Sequence, residues 1–451
     1  MTDVLHGDPL LDPLFATADA VRAFAPRARL QGMLDFEAAL ARAEAAVGVI
    51  PADAVPAIAA ACDAALYDLA ALGAEAASAG NTAIPMVRHL TRRVQAADAG
   101  AARYVHWGAT SQDATDSGLM LQLRAFADAL EEDLARLADG LAALARAHRA
   151  TPMVARTWMQ HALPTTFGLK AAGWLDALNR DRDRVAAARA QFALQFGGAA
   201  GTLASLGDTA LPVAEALARE LDLPLPTVPW HAARDRVAGF GAALGLLAGT
   251  LGRIGRDLSL MMQAEVGEAF EPAAPGRGGS STMPHKRNPV ACAVMLAASV
   301  RAPGLVAGLL SGMVQEHERG LGGWHAEWQA LPELGRLVAG AARHAADAIG
   351  GVEVDAERMR RNLDLTGGLI MAEAVTMALA GRMGRLAAHE RVAEASRRAV
   401  AEGRPLRAVL EEDADVAGAL SPADLDRLFD PLAYVGAAQA FIDRVLGRAG
   451  P

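Results

Sequence analysis

The sequence predicts an all-α protein whose centre is a bundle of long helices. Hydrophobic residues make up 52% of the chain and charged residues 21%, a balance that can bury a large core and argues against disorder. Alanine and leucine, which favour helices and close helix packing, recur throughout, whereas aromatic residues are only 4%. Apolar residues also repeat at helical spacing over several long stretches. At 451 residues the chain is too long for one small core, so we expect several packed units.

The first third of the chain predicts helices of moderate length. Ala28–Val47 is one of them. In it we expect Leu34 to face the core, and Glu37 and Arg42 to face water. The loop Gly80–Met86 interrupts this region.

Longer helical patterns follow, and we expect them to form the bundle and to supply subunit contacts. They cover Asp113–Arg149, Thr165–Phe192, His231–Phe270, Pro289–Val314 and Trp324–Ile349. Asp113 and Asp116 lie near the start of the first, where negative charge suits the helix dipole. Glycines on neighbouring turns of the third helix favour tight packing, at Gly239, Gly245, Gly249 and Gly252.

Glycine and proline become frequent after about residue 352, which indicates a smaller C-terminal domain of shorter helices. We therefore expect an N-terminal helical domain (1–112), a central bundle (113–350) and a C-terminal helical domain (351–451).

Charge and cysteine content exclude several classes of function. The formal net charge of −9 leaves no broad basic face, so we expect no nucleic-acid partner. Cys62 and Cys292 lie far apart and outside any metal-binding spacing, which predicts two reduced thiols.

Val237–Gly252 is uncharged but too short to span a bilayer, so it predicts a buried helix. The first residues do not resemble a secretion signal. We expect a cytoplasmic protein without a membrane partner.

Residues 276–289 (GRGGSSTMPHKRNP), here named the glycine–serine loop, carry the sharpest local signal. Its glycines and serines give a backbone that can expose N–H groups and close over a ligand. Lys286 and Arg287 place positive charge beside the next helix, which Asn288 and Pro289 would begin as N-cap and first residue. An ordinary capped surface loop fits this composition equally well.

The glycine–serine loop resembles the characteristic loop of the fumarase/aspartase superfamily. Two further segments match that superfamily in the same order: Val105–Gly118 (VHWGATSQDATDSG) and Thr151–Gly168 (TPMVARTWMQHALPTTFG). The resemblance covers most of the chain and implies the three-domain fold of that superfamily. It also implies a homotetramer in which three subunits contribute to each active site, and chemistry without a cofactor or a metal.

Members of this superfamily pass through an aci-carboxylate dianion, which needs a cation and preorganised donors. The resemblance places Lys286, Asn288, Thr110, Ser111 and Gln160 around that anion. It assigns proton transfer to Ser280, with Ser281 as the weaker candidate. Thr157, Trp158, Ser281 and Met283 complete the expected substrate-binding set.

The sequence departs from the pattern of the superfamily at one position that bears on the type of reaction. The lyases of the superfamily carry a histidine after the threonine of the second segment, and it protonates a basic leaving group. Here Trp158 follows Thr157, and His161 is more simply a histidine at a helix edge. A carboxylate with a pKa near 4 needs no such acid, so the pattern favours addition of a substrate carboxylate to an alkene, which is a lactonisation.

Other segments resemble the carboxymuconate cycloisomerases of the superfamily: Ala28–Ala45, Gln315–Glu333 and Asn362–Val375. The sequence thus predicts a lactonising enzyme acting on a conjugated tricarboxylate. A fumarate-releasing lyase of the adenylosuccinate or argininosuccinate type is the second hypothesis, and a non-catalytic crystallin-like protein the third.

Several other residues have two interpretations each. His106 and His285 are candidate general acids, or they orient loop backbone. A metal site at His317, His325 and Glu327 is disfavoured by the spacing. Core packing is preferred for Trp324 and Trp328, and a solvated helix end rather than a carboxylate site for Arg27 and Arg29.

Overall fold

The computed structural model describes residues 8–448 apart from 275, 277, 280, 281 and 284. Helices account for 71% of the chain, which confirms the predicted all-α class. The α-helices are α1 (Asp12–Phe15), α2 (Ala18–Ala23), α3 (Pro26–Val47), α4 (Val55–Ala61), α5 (Leu69–Ala79), α6 (Ala83–Ala97), α7 (Ser111–Ala147), α8 (Phe167–Arg189), α9 (Ala210–Leu221), α10 (Asp235–Met261), α11 (Val290–Ser311), α12 (Gly323–Gly350), α13 (Ala356–Leu363), α14 (Ala372–Met383), α15 (Arg385–Glu402), α16 (Leu406–Glu411), α17 (Ala414–Ala419), α18 (Pro422–Leu428) and α19 (Ala438–Arg448).

Two short antiparallel strand pairs differ from the sequence prediction, which contains no strand. β1 (Pro152–Thr157) and β2 (Gln160–Thr166) form a hairpin, and β3 (Ala269–Phe270) pairs with β4 (Glu353–Val354). The predicted long helices are confirmed as α7, α8, α10, α11 and α12, with their ends moved by a few residues. The largest difference is at α10, whose predicted range includes a turn and β3 at its C-terminal end.

Residue contacts divide the chain into two compact units. The first unit comprises residues 1–134, 181–252 and 294–343, and the second comprises 135–180, 253–293 and 344–451. The core of the second unit includes Val375, Leu379, Leu406 and Leu410, all fully buried. The three-domain division at 112/113 and 350/351 stays a prediction.

Helices α3 and α7 touch backbone to backbone in the first unit. A Cβ atom added to Gly32 of α3 would lie 2.8 Å from the carbonyl oxygen of Gly118 in α7. A Cβ atom added to Gly118 would lie 2.8 Å from the carbonyl carbon of Gly32. Only glycine allows this approach, and it places the middle of α3 beside the first turns of α7.

The glycines of α10 behave in two ways. Added Cβ atoms at Gly245 and Gly252 would lie 2.6 Å from Val306 Cγ2 and 2.4 Å from Ser299 Cβ, so tight packing is confirmed there. Among the described residues nothing lies within 4 Å of a Cβ atom at Gly239 or Gly249, so the prediction is wrong for those two.

Helices α10 and α11 are long and apolar enough to cross a membrane by length and composition. In α10 the side chains of Phe240, Leu244, Leu247 and Leu251 are fully buried, as expected for a core helix. Helix α11 instead exposes 78% of Val300 and 48% of Leu310. Packing within one chain therefore does not account for the exposed apolar surface of α11.

We predict that Gly32→Ala lowers the free energy of unfolding by about 1–3 kcal/mol, because the new methyl group must push α3 away from α7. The apparent Tm, followed by circular dichroism, measures the effect. Gly73→Ala is the matched control, since Gly73 is exposed within α5 and an added Cβ meets no described atom within 4 Å. Equal Tm values for Gly32→Ala and the unmodified protein would contradict the tight crossing.

Candidate active site

The three segments expected to carry chemistry are held in different ways. Val105–Gly118 belongs to the first unit, whereas Thr151–Gly168 and residues 276–289 belong to the second.

Asp113 fixes the start of α7. Its buried carboxylate accepts hydrogen bonds from the backbone N–H groups of Thr110, Gly197 and Gly198, at 2.9–3.0 Å. His231 Nε2 lies 2.7 Å from the same carboxylate. Asp113 therefore does more than complement a helix dipole, because it ties the loop before α7 to a second loop and holds Thr110 and Ser111 at a helix N-terminus.

A second buried network lies one turn further along α7. The fully buried Arg234 guanidinium binds both Asp116, at 2.7 and 3.1 Å, and Glu327, at 3.0 and 2.6 Å. Trp324 Nε1 donates to Asp116 at 3.0 Å. Burial alone would lower the pKa of Arg234, but the charge of Asp116 and the hydrogen bond to Glu327 raise it. Glu327 is thus an ion-pair partner, and Trp324 packs in the core as predicted.

Several other candidates of the first unit have hydrogen-bond partners within that unit. Asn81 Nδ2 donates to Ser111 Oγ at 3.2 Å, and His325 Nε2 lies 3.2 Å from the Gly80 carbonyl oxygen. Arg27 donates to the carbonyl of Ala64, and Arg29 to that of Trp328, both at 2.7 Å. Pro332 lies four residues after Trp328 and has no N–H to bind that carbonyl, so Arg29 satisfies it instead.

His106 has a buried acidic partner, Glu37. Its Nδ1 lies 2.6 Å from Oε1 of Glu37, whose side chain is only 1% exposed, so the prediction that Glu37 faces water is wrong. Burial alone would lower the pKa of His106, but the charge and hydrogen bond of Glu37 and the charge of Asp113 raise it. The spacing of Leu30, Leu34, Glu37, Ala41 and Glu44 on one face of α3 was the available signal.

Glu44 lies two turns beyond Glu37 and is fully buried. Among the described residues neither of its carboxyl oxygens has a hydrogen-bond partner. Burial, and then the charge of Glu37, raise the pKa of Glu44 to about 9. Glu44 is therefore neutral at pH 7.

The β1–β2 hairpin has a fixed stem and an exposed tip. Arg156 binds the fully buried Glu268 through two hydrogen bonds of 2.9 and 2.7 Å, and Asn362 donates to the same carboxylate at 2.8 Å. At the tip Trp158 (φ 51°) and Met159 (φ 63°) are 98% and 73% exposed. Positive φ at two large residues is costly and is normally left to Asn-Gly turns.

The other predicted residues of the hairpin flank this tip. Thr157 pairs with Gln160, and both side chains are exposed. His161 lies on β2, so its predicted place at a helix edge is wrong. Burial, followed by the charge of Arg156, lowers the pKa of His161. His161 is therefore neutral at pH 7, and its buried Nδ1 lacks a partner in the part of the chain that the structure describes.

The glycine–serine loop is closed at its base by Asn288. Its backbone N–H donates to the Gly278 carbonyl at 2.8 Å, and its Nδ2 reaches the Gly279 carbonyl at 3.4 Å. Gly278 has φ 64°, and a Cβ atom there would lie 2.5 Å from the Asn288 carbonyl oxygen. His285 and Lys286 are exposed, as is 43% of Met283. Ser280 and Ser281 lie outside the described residues.

Asn288 does not cap the next helix, so that prediction is wrong. The buried carboxylate of Glu271 accepts from the backbone N–H groups of Ala291, at 3.0 Å, and Cys292, at 2.8 Å, in the first turn of α11. Arg287 binds Glu353 of β4 with two hydrogen bonds of 2.9 Å. Glu271, directly after β3, and Glu353 of β4 therefore anchor the C-terminal end of the loop.

The chain is similar to known proteins over nearly its whole length. The lyase family profile matches residues 15–304, and a profile for the C-terminus of adenylosuccinate lyase matches residues 368–445. The 3-carboxy-cis,cis-muconate cycloisomerase of Pseudomonas aeruginosa is 60% identical over 447 residues, 99% of this chain and 97% of that protein. The protein of that name from Bradyrhizobium diazoefficiens is 59% identical over 97% of both chains. The crystal structure of 3-carboxy-cis,cis-muconate lactonizing enzyme from Pseudomonas putida is 53% identical, with a TM-score of 0.93 over 98% of both chains.

Proposed function

The chain belongs to the lyase family of the fumarase/aspartase superfamily, and we propose that it converts 3-carboxy-cis,cis-muconate to 4-carboxymuconolactone by intramolecular lactonisation. It is an isomerase, and its substrate places it in the protocatechuate branch of aromatic catabolism. Identity of 60% over nearly the whole chain to an enzyme of that name carries this conclusion.

The reaction adds a carboxylate oxygen to the alkene carbon β to another carboxylate. The alkene electron pair moves onto that second carboxylate, which becomes an aci-carboxylate dianion. A proton then adds to the α-carbon, so the tricarboxylate takes up one proton as it becomes a dicarboxylate lactone. We propose that Lys286, Asn288, Thr110, Ser111 and Gln160 hold the dianion, with Ser280 or a histidine as the proton donor.

Trp158 supports lactonisation over fumarate release. A lyase of the adenylosuccinate or argininosuccinate type expels a nitrogen base, which needs a proton donor at this position. An indole N–H does not supply one. A reacting carboxylate needs none, so Trp158 is compatible with the cycloisomerase and unfavourable for the lyase. Lys286 and Asn288, two of the residues expected for catalysis, are both present, and their presence disfavours a crystallin-like structural role.

We also propose a homotetramer with active sites shared by three subunits. The hairpin tip presents Trp158 and Met159 to solvent at a strained turn, an arrangement that makes sense when the tip inserts into another subunit. Val300 and Leu310 on α11, together with Leu246 on α10 (55% exposed), supply the apolar area that such contacts bury. We place the enzyme in the cytoplasm, in keeping with its two cysteines, Cys62 and Cys292, which are both buried and are not joined by a disulfide.

Purified protein should bleach the ultraviolet absorbance of 3-carboxy-cis,cis-muconate, because lactonisation ends the conjugation. No fumarate should appear by chromatography. Activity on adenylosuccinate or argininosuccinate, with none on the muconate, would refute the proposed reaction.

Ser280→Ala and Lys286→Ala should each lower kcat/KM for the muconate by at least about 10²-fold, as loss of one transition-state contact does. Size-exclusion chromatography should show an unchanged assembly. The chain has only two lysines, so Lys170→Arg is the matched control and should keep near-normal turnover. Near-normal turnover in Ser280→Ala would remove Ser280 from proton transfer.

Two inactive variants should restore activity to each other if subunits share the site. We predict that coexpressed His106→Asn and Lys286→Ala chains recover up to about a quarter of normal activity, since random assembly gives that share of sites both intact residues. Isolation through two different affinity tags, followed by the muconate assay, measures the recovery. A site built within one subunit would give no recovery.

A further inference from the structure

We propose that Glu37 is the positioning residue for His106, and that it holds the imidazole by its Nδ1 edge so that Nε2 delivers the proton that completes lactonisation. This inference rests on the proposed function.

The geometry of the pair is specific. Glu37 lies in the middle of α3, five residues after the glycine that touches α7, so its carboxylate is fixed relative to the segment that carries His106. The distance from His106 Nδ1 to Glu37 Oε1 is 2.6 Å. The imidazole is 16% exposed, so one edge faces the buried acid while the ring keeps access to solvent.

The His106 backbone is held in the left-handed region, with φ 60°. A residue other than glycine keeps this conformation only when its surroundings impose it. The hydrogen bond to Glu37 is one such restraint, and the tight packing at Gly108 (φ 70°), where a Cβ atom would lie 2.8 Å from Leu206 Cδ2, is another. These restraints together therefore hold the His106 imidazole in one orientation.

The bond also selects the proton that can move. A carboxylate accepts hydrogen bonds, so Nδ1–H of His106 donates to Glu37 in either charge state of the ring. Nε2 is then the position that gains or loses a proton. Among the described residues no hydrogen bond reaches Nε2, which leaves it available to a substrate carbon.

The groups that face His106 favour its charged form. Glu37 contributes from α3 and Asp113 from α7, and the carboxylate of Asp113 is shared with His231 and with backbone N–H groups. The other acid on the buried face of α3, Glu44, is neutral at pH 7, and burial raises the pKa of the Cys62 thiol. Glu37 is thus the charge in direct contact with the ring, and its removal should lower the pKa of His106.

The proton balance requires such a donor. Lactonisation forms one carbon–oxygen bond, moves the alkene pair onto a carboxylate, and returns it to the α-carbon as a carbon–hydrogen bond. His106 would give up the Nε2 proton in that step and regain it from water, which matches the net uptake of one proton. The rate should therefore fall as pH rises through the pKa of His106.

The test is Glu37→Gln, which keeps size and hydrogen bonding but removes the charge. The pKa of His106 is read from its imidazole Cε1–H resonance, assigned with His106→Asn, and kcat/KM for the muconate is measured across pH. We expect the pKa to fall by about 1 unit or more, the descending limb of kcat/KM to move down by the same amount, and kcat/KM at pH 8 to fall by about 10-fold or more. Glu44→Gln removes a buried acid that is already neutral on the same helix, and should change neither quantity.

An unchanged His106 titration in Glu37→Gln would overturn the pair, and so would a moved titration with an unmoved kinetic limb. If the unmodified protein does not convert the muconate, the proposed function fails, while the titration still decides whether Glu37 controls the protonation of His106.

Discussion

A carboxylate removed from water must be matched by hydrogen-bond donors, and in this chain that requirement fixes the segments that we propose to carry chemistry. Asp113 gathers three backbone N–H groups and an imidazole at the start of α7. Glu268 accepts from the stem of the β1–β2 hairpin, and Glu271 from the first turn of α11. Each loop thus depends on a buried acid. Replacing one of these acids by an apolar residue would leave several donors unsatisfied at once.

In the second unit the bases of the β1–β2 hairpin and of the glycine–serine loop are anchored, whereas side chains at their tips are exposed. Glu268 and Glu271 flank β3 in the sequence, and Glu353 is the first residue of β4, so one small element anchors both the hairpin and the glycine–serine loop. Beyond these anchors the side chains of Trp158, Met159 and Lys286 are exposed. A substrate site needs fixed geometry and also access, and the anchored stems with open tips provide both.

Sequence alone predicted the long helices well, because α7, α11 and α12 repeat apolar residues at helical spacing over many turns. It missed the hairpin, since its turn carries Trp158 and Met159 rather than Asn-Gly. The burial of Glu37 was missed because an acid is normally solvated unless a partner compensates for the loss of water. That partner, His106, is 69 residues away in the sequence, so local pattern does not reveal it. Asn288 fits an N-cap by residue type, but Glu271, which lies before the loop, occupies that role through tertiary contact. Local propensity decides helices, whereas these pairings depend on the assembled fold.

Lysine and arginine are used differently in this chain. Of the 43 basic residues only Lys170 and Lys286 are lysines, and the buried or anchoring cations Arg156, Arg234 and Arg287 are all arginines. Arginine suits those places because its planar fork binds a carboxylate through two hydrogen bonds that do not need to change. A developing aci-carboxylate is different, since charge accumulates on its oxygens during the reaction and favours a compact cation that can follow it. The fixed pairs made by arginine meet a structural demand, and the exposed ammonium of Lys286 suits the separate catalytic demand that we propose for it.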